Sequence, residues 1–231
     1  MKIKQILLPG FLIILFVHCI CIYAALDIWR SVTKLLLVPV LITYLLSQQK
    51  VFNWRIRPVY GLFFSFLGDA LLIGEGASFF LSGMIAFVLA HLNYSYFFLQ
   101  LHPVKKETKQ VFVMSLILML LFSSAVYYFL DGYLGSYQVP VLFYMLFISL
   151  MASLAIHTFT HKPLKSIAVK YFIPGAVLFV ISDAILALNL FRFHEKGLEI
   201  AVMLTYGFAQ FFLTKGFEKT DKLDVIQGSL V

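Results

Sequence analysis

Eight times along this sequence, an apolar run long enough to approach the width of a bilayer is followed by a short gap, most of the gaps rich in basic residues. A membrane helix needs roughly 20 apolar residues. The runs fall at about Leu7–Leu26, Val32–Ser47, Pro58–Gly74, Phe79–Leu101, Val111–Leu130, Tyr137–Phe159, Ala168–Leu190 and Leu198–Phe217. With 61% hydrophobic and 13% charged residues, an ordinary soluble domain is excluded. The expected fold class is all-α: a polytopic membrane protein with eight transmembrane helices in one domain over residues 1–217. Residues 218–231 are expected to form a polar, loose cytoplasmic tail. The first run has the basic start and apolar middle of a signal peptide. No cleavage site precedes the second run, so it is read as a retained helix.

The net charge of +7 lies in the gaps between runs, which reads as orientation in the bilayer and not as a nucleic-acid surface. An even number of spans puts both termini on one side. That side carries Lys2, Lys4, Lys50, Arg55, Arg57, Lys105, Lys106, Lys109, Lys162, Lys165, Lys170, Lys215, Lys219 and Lys222. The other carries only Arg30, Lys34, Arg192 and Lys196. The excess predicts both termini in the cytoplasm, and losing one span would scramble it. Cys19 and Cys21, two apart in the first run, read as packing residues, because a disulfide there has no geometric or redox rationale.

Two of the runs carry an acid well inside them. GLFFSFLGDALLI (Gly61 to Ile73) carries Asp69 and GAVLFVISDAILA (Gly175 to Ala187) carries Asp183, each with a Gly eight residues before the Asp and an Ala after it. A charge at the centre of a membrane helix costs roughly 3 kcal/mol on insertion scales, which marks both as functional candidates. Other matches keep the same order. MIAFVLAH ends at His91 and MLTYGFAQ at Gln210, and VPVL occurs at Val38–Leu41 and Val139–Leu142. The pattern predicts two parallel four-helix repeats, about 7–101 and 111–217, with a site at their interface.

Helical spacing gathers further polar groups near the acids. Gly61, Ser65 and Asp69 share a stripe in the third run. Phe87, His91, Tyr94 and Ser95 cluster in the fourth, and Tyr206, Gly207, Gln210 and Thr214 in the eighth. Ser182 and Asn189 accompany Asp183, Tyr144 lies in the sixth run, and Thr33 and Lys34 open the second. A lipid-facing carboxylate is too costly to be the explanation for either Asp. A buried, hydrogen-bonded acid that only fixes helix packing remains open for both, and packing remains open for His91, Tyr94, Tyr144, Asn189, Tyr206 and Gln210. Asp69 and Asp183 lie five and seven residues before the outer ends of their runs, about 8 and 10 Å deep. A cavity opening outward would hold both, with Lys34 near its mouth.

Other constellations are poor. His157 and His161 lack a carboxylate or cysteine partner, so no metal is expected. There is no HExxH, GxSxG or phosphate loop. Glu75, Glu107 and Asp131 read as solvated loop residues, and Glu218 to Asp224 as a wet terminus.

Together, TKLLLVPVLITYLL, GLFFSFLGDALLI, FVLAHLNY, PVLFYMLFISLMA, VLFVISDAILALNLF and TYGFAQFFL resemble the YhhN-like lysoplasmalogenase family of integral membrane proteins. The likeness spans runs two to eight. Its most specific parts are SDxxLAxNxF at Ser182 to Phe191 and LGD at Leu67 to Asp69; Leu35 stands where the family often has Pro. The resemblance implies eight spans and hydrolysis of the vinyl ether of lysoplasmalogens, releasing a fatty aldehyde and glycerophosphoethanolamine or glycerophosphocholine. It implies a multi-pass protein of the bacterial inner membrane, Asp69 and Asp183 as the catalytic acids, a lysophospholipid substrate and no cofactor. Such chemistry needs an acid that keeps its proton near neutral pH, which a low-dielectric site supplies, and a second carboxylate to steady a cation and activate water. Lys34, His91, Tyr94, Tyr144, Asn189, Tyr206 and Gln210 are then the substrate-binding candidates, with Lys34 meeting the phosphate. Two rival readings stand beside it. One is a proton-coupled transporter, for which uptake without product is the mark; the other is a lipid-binding scaffold, for which lipid retention without turnover is.

Overall fold

The computed structural model describes residues 2–48 and 56–228. Two of the cations used to orient the chain, Lys50 and Arg55, lie outside the described residues, as does the end of the expected tail, 229–231. Among the described residues every regular element is helical. The long helices are α1 (Lys2–Tyr23), α2 (Asp27–Gln48), α3 (Arg57–Leu71), α4 (Ala77–Leu101), α5 (Lys109–Leu130), α6 (Gln138–His157), α7 (Ile173–Leu188) and α8 (Lys196–Gly228). Single-turn and π-helical pieces extend α7 at both ends, at Ala168–Phe172 and Asn189–Phe193.

Seven stretches among the described residues are long and apolar enough to cross a membrane, and the chain is an integral membrane protein. The third expected span is shorter than read. As α3 it has 15 residues and rises about 22 Å, less than the roughly 30 Å of a hydrocarbon core. It starts at Arg57-Pro58, where proline's fixed φ suits the first helical turn, and it ends in turns that reach Gly76, whose φ of +97° only glycine adopts without strain. This short helix is also one of the more buried, with Gly61, Leu62, Ser65, Gly68 and Asp69 all inside.

Sequential helices pack as antiparallel pairs: α1 on α2, α3 on α4, α5 on α6 and α7 on α8. Further contacts join α2 to α3, α6 to α7, α4 to α6 and α2 to α8. Helix α5 is the outlier, exposing Met114, Ile117, Leu118 and Leu121 and burying little beyond Ser115 and Ser123. Close approach within the pairs depends on glycine. A Cβ on Gly61 would overlap the Tyr94 ring, and one on Gly175 would meet Leu213. Towards the end of the bundle that carries the termini, Phe97, Phe98, Phe172 and Phe217 form a buried aromatic cluster.

The tail differs from expectation. Helix α8 continues through Gly228. Glu218, read as a wet charge, is 3% exposed: it accepts a hydrogen bond from the Tyr44 hydroxyl at 2.7 Å and pairs with Lys215 at 2.6 Å. The i,i+3 spacing of Lys215 and Glu218 puts them on one face of α8, and Tyr44 brings α2 to it. Glu218→Ala strands a largely buried ammonium, so the thermal unfolding midpoint in detergent is expected to drop with a loss of about 3 kcal/mol. An unchanged midpoint would mean the trio holds nothing together.

Candidate active site

A polar cavity of about 590 Å³ opens among α1, α2, α3, α7 and α8. Its wall includes the α3–α4 turn at Gly74 to Gly76, so it lies towards the end of the bundle opposite the termini. Asp69 and Asp183 both line it, along with Lys34, Tyr206 and Asn189.

Asp69, on α3, is 4% exposed. The Tyr206 hydroxyl of α8 donates to its Oδ2 at 2.7 Å, and Lys34 Nζ of α2 lies 3.9 Å from its Oδ1. Behind Tyr206 a buried chain continues: Gln210 Nε2 donates to the Tyr206 oxygen at 3.3 Å, and the Tyr94 hydroxyl donates to Gln210 Oε1 at 3.1 Å. The i,i+4 spacing of Tyr206 and Gln210 makes this chain possible. Its effect is to fix the Tyr206 proton on Asp69.

Asp183, on α7, has different company. The Tyr144 hydroxyl of α6 donates to its Oδ2 at 2.5 Å, and His91 Nε2 of α4 stands 3.9 Å from the same oxygen. His91 Nε2 is also 3.2 Å from the Tyr144 oxygen. The Tyr144 proton is committed to Asp183, so the imidazole is the donor in that contact. Both partners sit on Oδ2, which leaves Oδ1 to the cavity. Each aspartate thus has one partner from the first helix pair's or third pair's second helix (Lys34 on α2, Tyr144 on α6) and one from a helix beyond α4 or before α5 (Tyr206 on α8, His91 on α4).

A second, smaller cavity of about 90 Å³ abuts the first. It is lined by Phe122, Val126 and Leu130 of α5, by Val141, Met145 and Ile148 of α6 and by Ala184 and Ala187 of α7. Asp183, Phe87 and Leu186 line both cavities. One carboxyl therefore stands at the seam between a polar chamber and an apolar groove.

A model of the YhhN family matches residues 29–217. The chain belongs to the YhhN family. The YhhN match takes in both aspartates and all their partners, and leaves out α1 and Glu218. Searches of curated proteins and of solved structures give no match.

Set against this YhhN-family bundle, the residues picked from sequence divide in two. Asp69, Asp183, Lys34, Asn189 and Tyr206 line the polar chamber, and Tyr144 lines the groove. His91, Tyr94 and Gln210 line neither; all three are fully buried and act on the acids from behind. Asn189 also has a structural task. Its Oδ1 accepts the Glu195 N–H at 2.6 Å and its carbonyl accepts the His194 N–H at 2.9 Å, closing the π-helical end of α7. Among the cavity residues that the sequence does not single out as a site are His18, Arg30, Glu75 and Glu199. His18 is 1% exposed and bonds Thr33 Oγ1 at 2.8 Å; one polar residue inside an apolar run was its only signal.

His157 and His161 sit at the far end of the bundle. There the His102 ring stacks on His157, with centroids 4.6 Å apart, and lies tilted against His161 at 4.9 Å. Burial, with His157, His161 and Lys105 alongside, pushes the His102 imidazole down to about 4. Among the described residues no group of three or more His, Cys, Asp or Glu has an arrangement that could hold a metal ion.

Proposed function

We propose that this YhhN-family protein is a lysoplasmalogenase, a hydrolase of the vinyl ether in lysoplasmalogen-type lysophospholipids. The observation that carries the reading is Asp183 at the seam. A single-chain lipid has its vinyl ether where the alkyl chain meets the glycerophospho head, and a groove beside a polar chamber matches that division. The chamber's volume lies within the usual range for small-molecule sites, roughly 300–1,000 Å³.

In the proposed reaction, Asp183 Oδ1 gives its proton to the β-carbon of the vinyl ether. The oxocarbenium ion that forms is faced by Asp69, whose carboxylate is held by Lys34 and Tyr206. Water adds to the oxygen-bearing carbon and its proton passes to Asp69. The hemiacetal then collapses: its hydroxyl gives a proton to Asp183, the carbon–oxygen bond to glycerol breaks, and that oxygen takes the proton from Asp69, which restores both carboxyls. One water is consumed and no net proton. Lys34 and Tyr206 differ from Tyr144 and His91 in supplying a formal cation, which suits Asp69 to the anionic role and Asp183 to the acid's. Aldehyde released from vinyl-ether but not ester-linked lysophospholipids, followed by mass spectrometry, tests the reading. Product-free, proton-driven uptake into proteoliposomes would replace it with transport.

The groove gives a separate expectation. Ala187 is among its smallest wall residues. Ala187→Phe is expected to cut kcat/KM for long-chain substrates about tenfold or more while sparing short ones, since even one methylene in a hydrophobic pocket is worth roughly 1–3 kcal/mol. Equal losses for a C8 and a C18 chain would move the alkyl site elsewhere.

The topology proposed with this function is two parallel four-helix halves, α1–α4 and α5–α8, with both termini in the cytoplasm of the bacterial inner membrane. The close pairs support it. In the register that aligns Asp69 with Asp183 and His91 with Gln210, Gly61 corresponds to Gly175 and Tyr94 to Leu213, and these are the residues in contact. The chamber then opens on the outer side.

A further inference from the structure

At the mouth of the polar chamber Arg30 of α2 pairs with Glu199 of α8 at 3.2 Å, both still partly open to solvent. One turn deeper on the same face of α2, about 6 Å away, Lys34 faces Asp69. Two cation–carboxylate rungs therefore bridge the chamber, one at its mouth and one at its floor. The chamber wall holds the cations Arg30 and Lys34 against the carboxyls of Asp69, Glu75, Asp183 and Glu199. A headgroup with only negative charge entering this wall would meet more acid than base. A headgroup that brings its own cation meets a partner for each charge: the guanidinium fork suits a phosphate bidentately, and a carboxylate suits an ammonium.

We propose that Arg30 and Glu199 form a headgroup clamp that selects amine-bearing, zwitterionic lysophospholipids over anionic ones. The entering phosphate takes Arg30, with Lys34 one rung below, and the ammonium takes Glu199, with Glu75 of the α3–α4 turn in the same wall. The resting ion pair is exchanged for two intermolecular ones, so opening the mouth leaves no charge unpaired. This rests on the lipid-hydrolase reading for the kind of ligand, but its residues and its selectivity are separate from the catalytic acids.

The test is binding, not turnover. Purified protein in detergent is titrated calorimetrically with 1-O-alkyl lysophospholipids of one chain length bearing ethanolamine, choline or glycerol heads. These are saturated ethers and are not cleaved by vinyl-ether chemistry. The wild type is expected to bind the two amine-bearing lipids about tenfold or more tighter than the glycerol lipid. Glu199→Gln is expected to erase most of that preference, and Arg30→Gln to weaken all three. Should Glu199→Gln fail to fold, the exchange of Arg30→Glu with Glu199→Arg keeps an ion pair. It is expected to lose the amine preference, because the acid then stands where the phosphate must lie. A preference unchanged in a folded variant, or absent from the wild type, overturns the clamp. Headgroup preference without any vinyl-ether hydrolysis overturns the hydrolase reading alone.

Discussion

Asp183→Asn is expected to lower kcat for vinyl-ether hydrolysis by at least about a hundredfold, and Asp69→Asn likewise, since a positioned proton donor or acceptor contributes roughly 10² to 10⁴. Asparagine keeps the size of the side chain and an oxygen for the Tyr144 or Tyr206 hydroxyl, but it neither gives nor takes the proton. The two variants are expected to part company in stability. Asp69→Asn leaves the Lys34 ammonium without its carboxylate at 3.9 Å, so the unfolding midpoint drops. Asp183→Asn removes no lysine or arginine partner, and the midpoint stays near wild type. Aldehyde release and thermal unfolding of the same detergent preparations read both effects. A folded variant with full activity takes its aspartate out of the mechanism and leaves it a packing residue.

The second large effect is on folding. Gly61→Val places a branched side chain into the Tyr94 ring, which is fully buried and stacked on Phe217 with centroids 5.4 Å apart. The ring has no open side to retreat to, so α3 and α4 must separate. Overpacking costs roughly 1–3 kcal/mol, and valine is expected at or above the upper end. Moving Tyr94 also detaches its hydroxyl from Gln210, and with it the chain that fixes the Tyr206 proton on Asp69. Gly10→Ala is the control: a Cβ there meets nothing within 4 Å, and the midpoint is expected to hold or rise slightly. Equal midpoints for Gly61→Val and Gly10→Ala would show that the α3–α4 seam yields.

Much of this was legible before the coordinates. Membrane helices announce themselves because hydrocarbon demands long apolar runs, and an acid inside such a run is conspicuous for the same reason. Asp69 and Asp183 stand out in that way, Tyr206 by helical spacing and Lys34 by its depth, and all four line one cavity. What stayed hidden were pairings between residues distant in sequence. Arg30 and Glu199 are 169 positions apart; Arg30 reads singly as an orienting cation, and nothing in the sequence marks Glu199 as its partner. Glu218 looks like any tail carboxylate until Tyr44 arrives from 174 residues away. Hydropathy also averages over all faces of a helix, so it did not separate Tyr94 and Gln210, which stand behind the site, from Tyr206, which faces it. Nor did it place the apolar groove, whose wall residues are indistinguishable in composition from those that face lipid. The shortness of α3 escaped because the turns after Leu71 are as apolar as the helix itself.

The crossing of partners between α1–α4 and α5–α8 has a mechanical consequence. Asp69 is held by Tyr206 from the later helices, and Asp183 is approached by His91 from the earlier ones. Sliding one set of four against the other, as alternating access would require, breaks both grips in a single stroke. Such reciprocal stitching suits a bundle that keeps its shape, as the proposed hydrolase requires, better than one that rocks.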